Sequence, residues 1–211
     1  MSWLLTRFYD RLMQESELAC LAQWRSELLA SVEGNIVEIG AGTGANLTHY
    51  SSGVRRLFLC EPDVHMRQRL ASRVESLPHL RCELLSTSAS SLPLADAVCD
   101  AAVSTLVLCS VEDPASALGE LWRVLRPGGS LLFIEHVQAP RGSPRRRWQN
   151  RIEPVWKRLA GNCHLTRDTA SAIEAAGFET VSLERASIRK AMPVARPSIR
   201  GRAVKVARGV E

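Results

Sequence analysis

Apolar positions along the chain change their period several times, and each change predicts an element. Over residues 2–32, Leu4, Leu5, Phe8 and Leu12, then Leu18, Leu21, Ala22, Leu28 and Leu29, recur at helical spacing and predict two helices that Glu33-Gly34 closes. Asn35–Ile39 breaks that rhythm with β-branched Ile36, Val37 and Ile39, which predicts a buried strand. Glycines at alternate positions follow (Gly40, Gly42, Gly44), and a helix is expected from Leu47 to about Tyr50. Arg56–Cys60 predicts a second strand, and Asp63 is placed to cap a helix over 64–76 that Pro78 terminates. A third strand is expected over about 80–85, and the polar run 86–91 as loop. Then come a fourth strand at 97–104, a helix at 114–125, a stop and turn at Arg126-Pro127-Gly128-Gly129, and a fifth strand at 130–137.

Residues 141–161 predict a basic, aromatic-bearing helical insertion through Trp148, Ile152, Val155, Trp156 and Leu159. A further helix is expected over 165–176, with Thr166 as its cap, Asp168 in its first turn and Gly177 as its stop. Strands over about 179–186 and 200–206 complete seven. Strands alternating with helices of ten or more residues imply an α/β fold, a Rossmann-like, doubly wound and mostly parallel seven-stranded sheet with two N-terminal helices and a helical insertion after strand five. With no repeat and no long linker, a single domain is expected: a helical cap (1–33), a binding core (35–137), a substrate-side insertion (138–166) and a C-terminal helix with strands (167–211).

Composition narrows this picture in four ways. A chain of 211 residues with 45% hydrophobic and 23% charged residues has room for a core without staples. No signal-like segment and no apolar run of bilayer length is present, so a cytoplasmic location is expected. The six cysteines are scattered, with no C-x-x-C and no zinc-like histidine spacing, and read as reduced, mostly buried thiols. Charge divides unevenly: residues 1–140 carry 11 Lys and Arg against 16 Asp and Glu, a net −5, whereas residues 141–211 carry 16 against 6, a net +10. The basic part, with Arg145-Arg146-Arg147, would steer an acidic partner or a membrane surface, or form a solvated or subunit-contact face. No aromatic-rich nucleic-acid motif accompanies it, which disfavours nucleic acid.

Candidate chemistry concentrates at Gly40–Gly44. A strand, a glycine loop and a helix start let backbone approach a ligand closely and aim free N–H groups at it. Glu61, twenty-one residues after Gly40 at the end of the second strand, is placed to accept both hydroxyls of a ribose. A nicotinamide dinucleotide and S-adenosylmethionine both fit, and Gly40, Gly42 and Ala45 match the relaxed dinucleotide fingerprint. Glu38 tips the balance. A carboxylate two residues before the first glycine repels a diphosphate and attracts a ligand carrying an ammonium and a sulfonium.

Taken with Glu61-Pro62, Leu92-Pro93, Asp100 and Leu125-Arg126-Pro127-Gly128-Gly129, the run Val37-Glu38-Ile39-Gly40-Ala41-Gly42-Thr43-Gly44 resembles the ordered motifs of class I S-adenosylmethionine-dependent methyltransferases. Thr105 to Val111, Glu135-His136-Val137, Pro154-Val155-Trp156, Gly161 to Arg167 and the closing Arg196 to Lys205 resemble the methyltransferase-like 7 group, whose members methylate alkyl thiols. The chain departs twice: it begins with amphipathic helices where membrane-bound members carry an anchor, and it has Ser88-Ala89 where many class I enzymes place an Asp against adenine.

The resemblance implies S-adenosylmethionine as cofactor and a small, largely apolar acceptor, most simply a thiol. Carbon, nitrogen or oxygen acceptors, an RNA substrate and a donor-binding scaffold without catalysis remain alternatives. Glu38, Gly40, Gly42, Gly44 and Asn46 would hold the methionine end, Glu61 and Pro62 the ribose, and Ser88 and Ala89 the adenine. Thr105 and Leu106 would lie near the sulfonium, and Tyr9, with Phe8 and Trp3, would form a lid. A thiol of ordinary pKa near ~8.5 is partly ionised at neutral pH, so a strong general base is dispensable. His136 and His164 are the candidates if one acts, and no metal is expected.

Overall fold

The computed structural model describes the backbone of residues 3–206 and the side chains of residues 10–206. The chain opens on one helical rod, α1 (Trp3–Ser16) and α2 (Ala22–Leu29) joined by a π-helical turn at Glu17–Leu21. The core then alternates β1 (Gly34–Ile39), β2 (Val54–Cys60), α3 (Val64–Glu75), β3 (Cys82–Leu85), β4 (Cys99–Thr105), α4 (Pro114–Val124) and β5 (Leu125–His136). After α5 (Pro144–Leu159) and α6 (Thr169–Ala175), β6 (Phe178–Ser187) and β7 (Pro197–Lys205) complete the described elements. Among the described residues no helix is long and apolar enough to cross a membrane.

Seven strands form one sheet in the order β3-β2-β1-β4-β5-β7-β6. The first five run parallel, and β7 pairs antiparallel with both β5 and β6. Strand order reverses between β1 and β4, so a crevice opens above the carboxyl ends of those two strands. The period-two alternation of β1 decides which side each residue serves. Val37 and Ile39 enter the core beneath α4 and α6 with Phe133, Leu118, Leu121 and Ile173. Ile36 enters the opposite core with Leu29, Leu59 and Leu70. Glu38 shares the face of Ile36, the side covered by the N-terminal rod.

Several elements differ from their sequence expectation, each for a local reason. The two N-terminal helices are continuous, because an extra residue in the π turn lets the rod bend without a break. The helix expected from Leu47 shrinks to one 3₁₀ turn, Leu47–His49. Asn46 there spends its side chain on neighbours in the core rather than on capping. Pro127 to Gly129 lies within β5, so the strand begins five residues earlier than the Arg126–Gly129 turn suggested. The helix expected from residue 165 starts at Thr169, and its cap is Asp168, which accepts from the Ser171 N–H, rather than Thr166. A carboxylate is the stronger acceptor at a helix N-terminus.

Candidate active site

β1 ends in the glycine loop, and the three glycines are required for three different reasons. Gly40 has φ +56°, and a Cβ there would lie 2.5 Å from a Val107 methyl. Gly44 (φ +87°) is packed against Leu47 and Leu70, so a side chain would collide with the hydrophobic core. Gly42 (φ +57°) faces open space, its nearest neighbour the Gly40 carbonyl at 3.9 Å. That space belongs to a cavity of about 590 Å³ walled by Glu38, Gly40, Gly42 and Thr105 from the sheet and by Glu17 and Arg25 from the rod. Its size is that of a small-molecule site.

Polar groups at the back of the cavity form one network. Glu38 is 2% exposed, accepting from Tyr50 Oη at 2.6 Å and from Asn46 Nδ2 at 2.9 Å. Asn46 Nδ2 also donates to Thr105 Oγ1 at 3.0 Å, while Arg25 Nη1 donates to Asn46 Oδ1 at 2.6 Å and to Thr105 Oγ1 at 3.0 Å. Arg25, 5% exposed, pairs in turn with Glu17 at 2.9 Å. Burial pushes the Glu38 carboxyl up to about 7 against the opposing pull of Tyr50, Asn46 and Arg25. A cationic ligand group would return it to its charged form. The site therefore offers a buried carboxylate and a buried guanidinium a few bonds apart, a fit for a zwitterionic end group.

Glu61 follows β2, buried, and accepts from the Gly42 N–H and the Asp63 N–H, both at 2.8 Å. Desolvation raises its pKa in spite of those two donors. Those donors fix the carboxylate beside the glycine loop. Pro62 and Ser88 are exposed, Ser88 Oγ meeting Ser90 Oγ at 2.9 Å, while Ala89 packs into the core. Leu106 adopts φ +60°, rare for a branched side chain, and its N–H donates to Ile134 at 2.8 Å. Tyr9, with Phe8 and Trp3, lies outside the described side chains. The next residue, Asp10, accepts from Thr43 Oγ1 at 2.6 Å and from Arg73 at 2.8 Å, which ties the rod across the glycine loop to α3.

The two candidate histidines separate. His164 Nδ1 meets Glu153 Oε1 at 2.9 Å, and the other oxygen of Glu153 accepts from the Leu165 N–H, so this histidine fastens the end of the insertion. His136, buried at the end of β5, sets Nδ1 3.6 Å from Cys163 Sγ, which lies 3.8 Å from Cys109 Sγ. Cys109 is held by Glu135. This fully buried carboxylate accepts from Ser104 Oγ and from the N–H groups of Val107, Leu108 and Cys109, and burial raises its pKa. The hydrogen bond with Cys109 and the adjacent His136 lower the Cys163 thiol, while the same sulfur contact and burial raise Cys109. Sequence reasoning missed Arg25, Glu17, Tyr50 and Asp10. Arg25 did carry a signal: it stands four residues from Leu21 and from Leu29, on the apolar stripe.

A glycine loop after β1, an acid after β2 and an antiparallel β7 set between β5 and β6 define the class I methyltransferase fold. A family model described as a methyltransferase domain matches residues 37–133. Thiol S-methyltransferase TMT1B of Rattus norvegicus is 38% identical over 208 residues, spanning 97% of this chain and 84% of its own. Thiol S-methyltransferase TMT1A of Homo sapiens is 35% identical over 173 residues, 81% of this chain and 70% of its own. Among solved structures, the [4+2]-cyclase SpnF superposes with a TM-score of 0.71 at 21% identity, covering 89% of this chain and 80% of the other. At that identity the likeness concerns the fold. The chain belongs to the class I S-adenosylmethionine-dependent methyltransferases and, within them, to the family of the thiol S-methyltransferases TMT1B and TMT1A.

Proposed function

We propose that this protein transfers the methyl group of S-adenosylmethionine to the thiol of a small, largely apolar acceptor. The observation that carries the donor reading is Glu38, a buried carboxylate aimed into a cavity beside a loop whose Gly42 leaves room for a ligand. The thiol reading is supported by kinship with proteins named thiol S-methyltransferases.

Bound there, the donor would supply a methyl group already activated on a sulfonium. The chain's own residues bind and align. Glu38 takes the ammonium, and Arg25 faces the carboxylate of the same amino-acid end. Asn46 does not need to touch the ligand: it holds Glu38, Thr105 and Arg25 in register. Gly40, Gly42 and Gly44 shape the floor, Glu61 accepts from the ribose hydroxyls with Pro62 at the rim, and Ser88 and Ala89 border the adenine. Thr105 and Leu106 lie toward the acceptor, with the rod, Tyr9 included, as lid. Alignment of nucleophile, carbon and leaving sulfur with water excluded is the larger part of such a reaction. The single-domain arrangement of cap, core, insertion and C-terminal strands, and a cytoplasmic location, belong to the same proposal.

A methyl-labelled donor offered with a panel of alkyl and aryl thiols tests this reading. Labelled thioether is the expected product. Transfer to oxygen or nitrogen acceptors with none to any thiol would overturn it.

A further inference from the structure

Cys109, His136 and Cys163 form a cluster to which the donor site assigns no task. They come from three places: the loop after β4, the last residue of β5 and the loop after α5. Each stretch is anchored through its backbone, and beyond the cluster the side chains meet Ser110 Oγ, 3.5 Å from Cys109 Sγ, and the Trp156 indole beside Cys163. The Cys109 N–H donates to Glu135 and its carbonyl accepts from the His164 N–H at 2.8 Å. The Cys163 N–H donates to Ala160, while Asn162, at φ +67°, donates from its side chain to Ser110 at 2.8 Å. Cys109 and His136 are buried, and the three candidate ligand atoms lie within 4.8 Å of one another.

Two observations fit a bound metal. Zinc bonds to sulfur at about 2.3 Å and to histidine nitrogen at about 2.0–2.1 Å, so neighbouring ligand atoms of a tetrahedral site stand ~3.6–3.8 Å apart. The sulfur–sulfur and sulfur–nitrogen separations about Cys163 are 3.8 and 3.6 Å, and the remaining pair, Cys109 with His136, lies within 4.8 Å. Independently, His136 Nε2 is buried without a hydrogen-bond partner among the described residues, so the imidazole is held through Nδ1 and the Cys163 sulfur it faces. A disulfide would require the sulfurs to close to about 2.05 Å with loss of two electrons to an oxidant.

We propose that Cys109, His136 and Cys163 bind a zinc ion whose fourth position takes the acceptor thiolate. Two thiolates balance the charge of the ion, and three protein ligands leave one position open, as in catalytic rather than structural zinc sites. On coordination the acceptor thiol loses its proton to solvent and its sulfur forms the fourth bond. As the methyl carbon leaves the donor sulfur it bonds to this sulfur, and the neutral thioether dissociates from the ion. The fourth-ligand role rests on the thiol reading above; the metal site does not.

Metal analysis of the full-length protein, purified without chelator and reloaded with zinc, tests the site. About one zinc per chain is expected in the wild type and in His164→Gln, and loss of the metal in Cys109→Ser, Cys163→Ser and His136→Gln. Donor binding by calorimetry checks that each variant is folded. Cobalt(II) in place of zinc should give a thiolate charge-transfer band that shifts when an alkyl thiol is added. Failure of the folded wild type to hold zinc or cobalt, or a Cys109–Cys163 disulfide in its place, would overturn the site. A cobalt band that thiols leave unchanged, or full thiol methylation by zinc-free protein, overturns the fourth-ligand role while the thiol reading stands. Zinc-loaded protein that methylates oxygen or nitrogen acceptors and no thiol sinks that reading and the fourth-ligand role together, with the metal site intact.

Discussion

Glu38 concentrates the electrostatics of the donor site in one side chain. Its folded pKa of about 7 exceeds the ordinary 4.5, so the folded state holds a proton that the unfolded chain has released. Stability of the ligand-free protein should therefore fall as pH rises from about 4.5 to 7, and denaturant titrations should show that slope flattened in Glu38→Gln. Donor affinity should move oppositely, strengthening through pH 7 as the carboxylate ionises, which calorimetry across pH 6–8 would read. Glu61 is a different case. Two backbone N–H groups orient it beside the loop, so Glu61→Ala removes a ribose acceptor and leaves the Gly42 and Asp63 N–H groups without that partner. A drop in donor affinity of about 10-fold or more is expected, at ~1.5–3 kcal/mol for a charged hydrogen bond, and near wild-type affinity would contradict the ribose role. These carboxylates were legible in the sequence because each lies within one residue of the end of a strand recognisable from its own residues. Arg25 was not, since a charge on an apolar helical stripe has meaning only once Asn46, Thr105 and Glu17 surround it.

At the scale of elements, local chemistry set the boundaries and tertiary demands moved them. The helix after the glycine loop is one 3₁₀ turn because Asn46 and Tyr50 are both drawn inward to Glu38. Helical periodicity near Leu47 could not show that pull. α6 offers a direct measurement of where a helix begins. Asp168→Ala should cost about 1 kcal/mol through loss of the cap, whereas Thr166→Ala, two residues ahead of the cap, should be close to neutral in thermal unfolding. The reverse ranking would restore Thr166 as the cap. In β5, a strand continues through Arg126 to Gly129 although those residues spell a turn, because Leu125 pairs with Cys99 across a register shift before Ser130 meets Ala101.

Over the whole molecule, the strand order brings the carboxyl ends of β1, β2, β4 and β5 to one edge, and the N-terminal rod crosses that edge. Asp10 is its latch, joined to Thr43 on the glycine loop and to Arg69 and Arg73 on α3. These pairs are part-exposed, so Asp10→Ala should leave global stability within about 1 kcal/mol. Its effect should instead appear as faster amide exchange in α1 and faster donor dissociation. Unchanged exchange in α1 would show that the rod is held by its apolar contacts alone. At the other end, α5 carries Arg145, Arg147, Arg151 and Arg158 on a helix with Trp148, Val155 and Leu159 exposed, which supplies part of the positive charge of the second part of the chain.

The sequence by itself determined the alternation of strands and helices, the glycine loop, the acids at Glu38 and Glu61 and the class of cofactor they suit. All of these follow from backbone sterics and short-range period, which act within a few residues. Only the tertiary structure decided that Arg25 completes the donor pocket, that His164 is a fastening rather than a base, and that His136 stands with Cys109 and Cys163. Those three residues are twenty-seven positions apart at each step, a spacing without meaning until parallel β4 and β5 end side by side and the loop after α5 folds back across them.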